Sequence, residues 1–416
     1  MTSPFTWHLL AGDAATGPRA GRLVTPHGTV ETPAFIPVGT RATVRGVLPE
    51  TLETVGAQIV LANTYHLMLR PGAEVVRDLG GLHAVMGWDS PLLTDSGGYQ
   101  VFSLADRREV TDDGLTFRSH IDGAEVRLTP ESAVAAQNAL GADVIMALDI
   151  CPPYPCPRTE VEEAVRRTLA WAPRCLAAHA RDDQALWAIV QGGVEEDLRR
   201  RCAEALVAMD FPGYAVGGVS VGEGHENLCR VLDWTAPLLP ADKPRYLMGV
   251  GEPRDVIAAV ERGVDLFDCV LPTRNGRNAS AYTDEGMIRL RNEQFKRDTR
   301  PIEPGCDCPA CRGCFDTLSP GGRGQGEGGP VGGSRHSPSP HPSRIEGEGE
   351  MKPPFSRGRS GTSSRRGRCS GRFSSAFTIC GSSRGSSAGC AGPSGPADSA
   401  PSRTPCRPAL PATPSR

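Results

Sequence analysis

The feature of this 416-residue chain that most constrains its fold is a series of eight short apolar segments, each followed by small or polar residues. Polar and apolar residues do not alternate within the segments, and such runs are typical of strands that are covered on both faces. The segments are residues 34–37, 59–63, 92–96, 144–149, 186–191, 214–218, 245–249 and 266–270.

Helical patterns lie between many of these segments, at residues 130–140, 158–180, 195–209 and 253–262. Eight strand–helix units predict an α/β fold, a closed (β/α)₈ TIM barrel, with a doubly wound open sheet as the alternative. Two segments outside the repeat predict β-hairpins that are added to the barrel. One covers residues 7–30, and the other covers residues 115–128 and turns at Asp122-Gly123.

The C-terminal quarter of the chain differs from the rest in composition. Residues 315–416 contain 14 Lys/Arg and 6 Asp/Glu, whereas the first 314 residues contain 31 and 42, so an acidic body is joined to a basic tail. The tail is rich in Gly, Pro and Ser without a hydrophobic period, which predicts disorder. We therefore expect a barrel domain over 1–300, the start of a zinc-binding subdomain over 301–314, and a low-complexity tail over 315–416.

The chain lacks the marks of a membrane or secreted protein. No apolar run approaches the roughly 18–20 residues that a membrane span requires, and the first residues do not form a signal peptide. Most of the 14 cysteines are scattered singly, which is not the pattern of a disulfide framework. These observations predict a soluble, cytoplasmic protein with no membrane partner.

Three of the apolar segments end in or near a carboxylate: Asp95, Asp149 and Asp268. In TIM barrels the active site is built at the C-terminal ends of the strands. A carboxylate inside an apolar strand end, such as Asp268, must be paired, protonated or functional because its burial is costly. Two carboxylates that face one cleft suit displacement at a sugar carbon, where one attacks the anomeric centre and the other moves protons. His27, His66 and the other histidines are interpreted as structural.

Asp95 begins a glycine-rich segment that follows its strand directly. Gly97 and Gly98 let a ligand approach the backbone closely, and the ring of Tyr99 offers a surface on which a heterocycle can stack. A tight strand-to-helix turn with an N-capping Asp explains the same segment equally well.

Basic residues follow Asp268. They occur in the segment 273–278 and further on at Arg289, Arg291, Lys296, Arg297 and Arg300. A solvated loop is the usual explanation for such a run. Beside a strand-end site on an acidic body, the run favours a docking surface for phosphates.

Cys306, Cys308 and Cys311, followed by Cys314, have the spacing of a zinc knuckle. Three thiolates within six residues converge on one ion only through a turn, which Pro309 helps to form. The spacing predicts structural Zn²⁺ at the first three cysteines.

Together these motifs make residues 6–311 resemble the bacterial queuine tRNA-ribosyltransferases, which are tRNA-guanine transglycosylases. The motifs lie at 94–100, 217–223, 246–251 and 267–274 and in the Cys-x-Cys-x-x-Cys run. The resemblance implies exchange of guanine-34, at the wobble position of tRNAs with GUN anticodons, for a 7-deazaguanine base in queuosine biosynthesis. It also implies a homodimer and a covalent ribosyl-aspartate intermediate. Because Cys151 and Val221 are expected at the pocket, we expect the smaller base 7-aminomethyl-7-deazaguanine.

The resemblance also implies a role for each matching residue. Asp268 would be the nucleophile, and Asp95 the general acid/base. Tyr99 and Met248 would sandwich the base. The residues implied to bind the base are Asp95, Ser96, Gly97, Gly98, Tyr99, Asp149, Gln191, Gly218 and Met248. The residues implied to contact the RNA are Gly249, Val250, Gly251, Glu252, Pro253, Arg254, Asp255, Thr273, Arg274, Asn275, Gly276 and Arg277. No redox or nucleotide cofactor is expected.

The tail departs from the family pattern. In the family a helical segment follows the third cysteine, and a His-Asn pair then supplies the fourth zinc ligand. Reading residues 366–371 and 375–380 in one shifted frame permits Gly-Glu-Val-Leu-Gly and Ser-Ile-His-Asn-Leu. We therefore hypothesise an insertion at about 313–352 and out-of-frame translation after about 357, which would impair the zinc site and the dimer. The alternative is a natural disordered basic tail that holds RNA electrostatically. Because the His-Asn pair of the family is absent in either case, the fourth zinc ligand is missing or replaced by Cys314, His336 or His341.

Three other functions remain open at this point. An archaeal-type transglycosylase that acts on the tRNA D-arm would carry an RNA-binding C-terminal domain, which the sequence does not show. A catalytically inactive tRNA-binding homologue would lack the nucleophile, whereas Asp95 and Asp268 are both present. A glycoside hydrolase would need an aromatic sugar groove, which an aromatic content of 5% supports poorly.

Overall fold

The computed structural model describes residues 4–12, 17–104, 108–308 and 310–311. Within these residues the strands, in chain order, are β1 (Thr6–Gly12), β2 (Arg19–Thr25), β3 (Gly28–Thr32), β4 (Ala34–Pro37), β5 (Val60–Ala62), β6 (Leu92–Thr94), β7 (Arg108–Val110), β8 (Leu115–Arg118), β9 (Glu125–Leu128), β10 (Val144–Met146), β11 (Ala185–Val190), β12 (Tyr214–Val216), β13 (Arg245–Leu247), β14 (Leu266–Cys269), β15 (Ser280–Thr283) and β16 (Gly286–Arg289).

The helices of the same residues are α1 (Pro49–Thr54), α2 (Thr64–Leu69), α3 (Ala73–Asp78), α4 (Gly81–Met86), α5 (Gly98–Leu104), α6 (Pro130–Leu140), α7 (Arg158–Ala178), α8 (Glu196–Val207), α9 (Gly224–Thr235), α10 (Pro253–Val260) and α11 (Leu271–Arg277). Short 3-10 turns lie at Ala236–Leu238 and Glu293–Phe295.

The eight predicted apolar segments form one parallel sheet in the order β4-β14-β13-β12-β11-β10-β6-β5. The first and last strands meet, because Val38 pairs with Leu61 in a parallel bridge and the Gly39 N–H donates to the Leu61 carbonyl at 2.6 Å. The sheet is therefore closed. The predicted (β/α)₈ barrel is confirmed, and the alternative of an open sheet is wrong.

Successive residues of each barrel strand face opposite sides. Tyr246 and Leu266 belong to the inner core of the barrel, whereas Leu247 and Phe267 pack in the outer layer with the helices. Both layers are apolar, which explains why the strands read as continuous hydrophobic runs. The same alternation turns Asp268, two residues after Leu266, toward the inside of the barrel.

The N-terminal addition is larger than predicted. Instead of a hairpin, β1, β2 and β3 form a three-stranded antiparallel sheet. Leu23 and Val30 of this sheet are buried with the inner core. The sheet thus covers the end of the barrel at which the parallel strands begin.

The inserted hairpin is confirmed. Strands β8 and β9 pair antiparallel, with Arg118 opposite Glu125 around the predicted Asp122-Gly123 turn. A third strand, β7, extends this sheet and was not predicted.

The four predicted helices are present as α6, α7, α8 and α10, with ends shifted by at most a few residues. Helix α6 has the predicted bounds because both of its ends are marked in the sequence. Thr129 caps the first turn by accepting from the Ser132 N–H, and Gly141 ends the helix with a φ of 78°.

No helix in the described part of the chain is both long enough and apolar enough to cross a membrane. The predicted tail at 315–416, together with Pro309 and Cys314, lies outside the described residues.

Candidate active site

A cavity of about 500 Å³ opens at the C-terminal ends of the barrel strands. Its lining comes from the C-terminal ends of all eight strands of the sheet or from the segments that follow them. The sequence-predicted residues that line it are Asp95, Ser96, Tyr99, Asp149, Gln191, Gly218, Met248, Gly249, Asp268 and Arg274. Residues far apart in the sequence therefore converge where the strand-end argument expects them.

Gly97 and Gly98 do not line this cavity. Gly97 has a φ of 81°, and a side chain on Gly98 would come within 2.8 Å of the Asp149 carbonyl oxygen. Their placement indicates that they shape the turn between β6 and α5. Asp95 does not supply the predicted N-cap, because its oxygens accept from Asn63, the Thr64 N–H and the Gln100 side chain. A role of the two glycines in binding the base stays a prediction.

Asp95 directly follows β6 and is buried. Its Oδ1 accepts from the Thr64 N–H at 2.8 Å, and its Oδ2 accepts from Asn63 at 2.5 Å and from Gln100 at 2.8 Å. Burial raises the pKa of Asp95 to about 6 against the effect of these donors, and the nearby Asp268 adds to the rise. A carboxyl group with such a pKa can both give and take a proton near neutral pH.

Asp149 lies in the loop after β10 and is also buried. Its Oδ1 accepts from the Ser96 hydroxyl at 3.1 Å, and its Oδ2 accepts from the Gln191 side-chain amide at 2.7 Å. Burial raises the pKa of Asp149 to about 6, although both donors oppose the rise. The three side chains form one polar edge of the cavity.

Asp268 is partly exposed to the cavity. Its Oδ1 accepts from the Tyr246 hydroxyl at 2.6 Å and from the Gly249 N–H at 2.7 Å. Its Oδ2 has no hydrogen-bond partner among the described residues. Burial raises the pKa of Asp268, and the bonds from Tyr246 and Gly249 counteract that rise.

The loop after β12 passes close to the same polar edge. Gly218 has a φ of 64°, which favours glycine, and a side chain there would lie 2.6 Å from the Gln191 Oε1. Arg199 of α8 is fully buried beneath the loops and donates to the carbonyls of Val190, Gly193 and Gly218 at 2.8–2.9 Å. The guanidinium of Arg199 therefore connects the loop that carries Gln191 to the loop that carries Gly218.

The predicted RNA-contacting residues 249–255 span the loop after β13 and the start of α10. Gly249 lines the cavity, whereas Val250 is buried in the outer layer. Asp255 faces a neighbouring helix, since its Oδ1 lies 2.6 Å from the His225 Nδ1. The segment therefore includes residues that contact the protein interior rather than the cavity.

The predicted residues 273–277 belong to a short helix, α11, rather than to the solvated loop that the basic composition suggested. Arg274 lines the cavity, and Arg277 is exposed beside it on the same helix. The basic residues further on are exposed as well. Of these, Lys296 pairs with Glu293 and Arg300 pairs with Asp298.

Cys306, Cys308 and Cys311 are buried, and their sulfur atoms lie within 4.8 Å of one another. The Cys308 N–H donates to the Cys306 sulfur at 3.5 Å. Convergent thiols with a backbone donor to sulfur fit a Zn²⁺ ion, which prefers thiolate ligands in structural sites. Three converged ligands leave one position of a tetrahedral site to another group.

Sequence reasoning missed residues that hold two of the three carboxylates, Asp95 and Asp268. Asn63 and Gln100 bind Asp95, and Tyr246 binds Asp268. The polar end of the β5 segment was a signal for Asn63, whereas Tyr246 looked like an ordinary core residue. His66, interpreted as structural, lines the cavity.

Comparison with known proteins shows which family the sequence matches. Residues 13–316 match the family model described as "Queuine tRNA-ribosyltransferase". The curated relatives of that name include one from Geobacillus kaustophilus, 55% identical over 313 residues, which covers 75% of this chain and 82% of the relative. A relative from Gloeobacter violaceus is 58% identical over 316 residues, 75% of this chain and 83% of the relative.

Proposed function

Because the chain belongs to the queuine tRNA-ribosyltransferase family, we propose that it acts as a tRNA-guanine transglycosylase, a pentosyltransferase of queuosine biosynthesis. In detail, guanine-34 of tRNAs with GUN anticodons is exchanged for 7-aminomethyl-7-deazaguanine. One glycosidic bond replaces another, so the exchange needs no electron donor and no nucleotide energy source.

The state of Asp268 carries this proposal. One carboxylate oxygen is anchored by Tyr246 and Gly249, and the other has no hydrogen-bond partner among the described residues. The group is thus oriented at the cavity with one oxygen available for bond formation. A carboxylate nucleophile at an anomeric carbon gives a covalent intermediate.

In the first half of the exchange, Asp268 Oδ2 attacks C1′ of the target ribose. The C1′–N9 bond breaks, and its electron pair leaves with guanine. Protonated Asp95 supplies the proton that neutralises the leaving base, which its pKa of about 6 allows. The product of this step is an ester between Asp268 and the ribose.

In the second half, the incoming 7-deazaguanine gives its N9 proton to the Asp95 carboxylate. N9 then attacks C1′, and the bond between C1′ and Asp268 breaks. Asp268 regains its negative charge, and Asp95 is again protonated. The two half-reactions therefore leave the enzyme unchanged.

The polar edge made by Ser96, Asp149 and Gln191 suits the Watson–Crick edge of a guanine-like base. Carboxylate oxygens accept from ring and exocyclic N–H groups, which both guanine and 7-deazaguanines present. Tyr99 and Met248 line the same cavity and would hold the ring between them. Gly218 would offer its backbone to the base.

Docking of the RNA follows from the position of the cavity. A base in a folded anticodon loop reaches such a pocket only after it is unstacked and turned outward. Gly249 and Arg274, one from each of the segments 249–255 and 273–277, line the cavity, and the exposed Arg274 and Arg277 would supply positive charge for the RNA backbone.

The zinc site, the homodimer and the cytoplasmic location are part of the same proposal. Cys306, Cys308 and Cys311 would hold structural Zn²⁺, with Cys314 or a tail histidine in place of the missing fourth ligand. Zinc content well below one per chain, measured by atomic emission on the purified protein, would indicate that the aberrant tail impairs the site. Resequencing the coding DNA tests the insertion at about 313–352 and the frame change after about 357.

The exchange itself is tested by uptake of labelled guanine into an anticodon stem-loop RNA with a GUN anticodon. A matched RNA with adenine at the wobble position is the control. We expect label in the first RNA only, and label in neither RNA would contradict the proposed function. RNA binding without uptake would indicate the catalytically inactive homologue instead.

A further inference from the structure

A second group of metal-ligand side chains lies at the end of the barrel where the strands begin. His27 is in the turn between β2 and β3, His83 is on α4, and Asp143 immediately precedes β10. One ring nitrogen of each histidine and one carboxylate oxygen of Asp143 all lie within 4.8 Å of one another. Three separate parts of the chain therefore bring two imidazoles and a carboxylate together, at the opposite end of the barrel from the cavity.

The backbone holds the Asp143 carboxylate in place. Its side chain is completely buried, the His27 N–H donates to Oδ1 at 3.2 Å, and the Leu92 N–H donates to Oδ2 at 2.8 Å. A carboxylate oxygen has two acceptor positions, so each oxygen keeps one for an imidazole. The His27 Nδ1 lies 2.8 Å from Oδ1, and the His83 Nε2 lies 3.3 Å from Oδ2. Outer hydrogen bonds of this kind orient the ligands of metal sites.

The Nε2 of His83 is the unusual atom of this group. It is buried and has no hydrogen-bond partner among the described residues, although an Asp143 oxygen is only 3.3 Å away. A buried polar atom without a partner needs an explanation, and an ion is one of the known explanations. The separation is close to the value of about 3.4 Å for two ligand atoms that each lie about 2.1 Å from one tetrahedral ion. A cation between the two atoms contacts both directly, so the burial of Nε2 from solvent does not prevent its binding.

The two imidazoles lie against each other. Their rings stack with centroids 3.6 Å apart and planes inclined by 20°. Two imidazolium charges at this distance repel each other, so the arrangement favours at least one neutral ring, which is the form that binds metals. The His27 side chain is 42% exposed. It therefore gives an ion a path to the group and leaves room for water as a further ligand.

We propose that His27, His83 and Asp143 bind a divalent transition-metal ion, for which Zn²⁺ is the probe. Two imidazoles and one carboxylate suit Zn²⁺, whereas Mg²⁺ and Ca²⁺ prefer oxygen ligands. The site differs from the cysteine cluster at 306–311 in its ligands and in its place in the fold. It connects the N-terminal sheet to α4 and β10, so the bound ion stabilises the barrel. The inference does not depend on the proposed function.

The test measures zinc on the full-length chain by atomic emission, after equilibration with ZnCl₂ and removal of unbound metal. We expect His27→Ala and His83→Leu each to hold about one equivalent less zinc than the wild type, whatever amount the cysteine cluster holds. The control is His8→Ala, because His8 is exposed on β1 of the same sheet and lies outside the group. With Co²⁺ as a second probe, the charge-transfer absorption of thiolate ligands should be equal in all four proteins, because the cysteine cluster is unchanged.

Thermal unfolding gives a second readout of the same site. At 100 times its Kd, Zn²⁺ should raise the melting temperature of the wild type by about 5 °C more than that of His27→Ala. Equal zinc content and equal thermal shifts in the wild type and both variants would overturn the assignment, and so would an equal loss of zinc in His8→Ala. Because His27 lies on an exposed turn, His27→Ala decides the question even if His83→Leu does not fold.

Discussion

The two ends of the barrel treat buried carboxylates in opposite ways. Where the strands begin, Asp265 forms a two-point ion pair with Arg19 at 2.9 and 2.5 Å, and Asp143 lies between the imidazoles of His27 and His83. Where the strands end, the donors to Asp95, Asp149 and Asp268 among the described residues are neutral hydroxyl, amide and backbone groups. In the described part of the chain, basic side chains thus contact the carboxylates directly at one end, and at the other end no basic side chain forms an ion pair with them.

This difference distinguishes carboxylates that stabilise the fold from carboxylates that are available for the reaction. Burial alone would raise the pKa of Asp143, but the nearby His83 side chain and hydrogen bonds with the Leu92 N–H and the His27 side chain bring it below the normal value. The same burial raises the pKa of Asp95 to about 6, because neutral donors oppose it only in part. A cation at the catalytic end would keep such a carboxyl permanently ionised and would occupy the oxygen that must react.

The largest expected effect is on catalysis, at the end of the barrel where the strands end. Asp268→Asn keeps an oxygen that can accept from Tyr246 and Gly249 but removes the nucleophile. We expect guanine exchange to fall by at least about 10⁴-fold, with little change in melting temperature. Uptake of labelled guanine and thermal unfolding measure both quantities. The control is Asp89→Asn, because Asp89 is exposed and lies outside the cavity. If Asp268→Asn kept exchange within tenfold of wild type, the proposed difference between the two ends would be wrong.

The next largest effect is on stability, at the end of the barrel where the strands begin. Asp265→Asn leaves the guanidinium of Arg19 buried without its counter-charge, and we expect the free energy of unfolding to drop by about 3–5 kcal/mol. The exchange rate per folded molecule should stay near that of wild type. Urea unfolding checks the first expectation. A double variant that also carries Arg19→Met should recover part of the loss, and a loss below about 1 kcal/mol would show that the pair contributes little.

The pH dependence of stability should have opposite signs for Asp95 and Asp143, because burial raises the pKa of Asp95 whereas the neighbours of Asp143 lower its pKa. The raised pKa of Asp95 contributes stability that is present below its unfolded value of about 4 and is lost as the pH rises through about 6. The unfolding free energy of Asp95→Asn relative to wild type should therefore rise by up to about 3 kcal/mol between pH 4 and pH 7.5.

Asp143→Asn provides the matched comparison for that measurement. The lowered pKa of Asp143 contributes stability above its unfolded value, and this stability is lost as the pH falls through the folded value. The difference between Asp143→Asn and wild type should thus become smaller on acidification. Chemical unfolding at several pH values measures both variants. Parallel curves for the two would show that Asp95 and Asp143 do not differ in the direction of their pKa shifts.

The smallest expected effect concerns Tyr246. Tyr246→Phe removes the hydroxyl that donates to Asp268 Oδ1, a bond that lowers the pKa of this carboxyl. We expect kcat to fall by about tenfold and the acidic limb of the pH profile to move to higher pH. A lower kcat with an unshifted limb would indicate that the hydroxyl only positions Asp268.

The parts of the fold that could be predicted are those that a local pattern determines. The barrel strands are apolar on both faces, and α6 carries its own N-cap and a terminal glycine, so both were readable from the sequence. Asp95, Asp149 and Asp268 stood out because they interrupt apolar strand ends. The cavity brings all three together.

The remainder depends on contacts between distant elements. Asn63 and Asp95 are 32 residues apart, and Tyr246 and Asp268 are 22 apart. Only the register of neighbouring strands decides that these side chains meet. Arg199 reads as a surface residue in a charged helix, yet it is fully buried beneath the loops of the cavity. The place of His66 at the cavity could not be predicted for the same reason.

The central claim is that Asp268 becomes esterified to the ribose of an anticodon-loop nucleotide. The direct measurement is to mix the protein with stem-loop RNA without an incoming base, quench it, separate protein–RNA adducts on a denaturing gel, and map the link by mass spectrometry of peptides. The account predicts a nucleotide attached to the peptide that contains Asp268, with no adduct in Asp268→Asn. An adduct mapped to another residue, or one that persists in this variant, would contradict it.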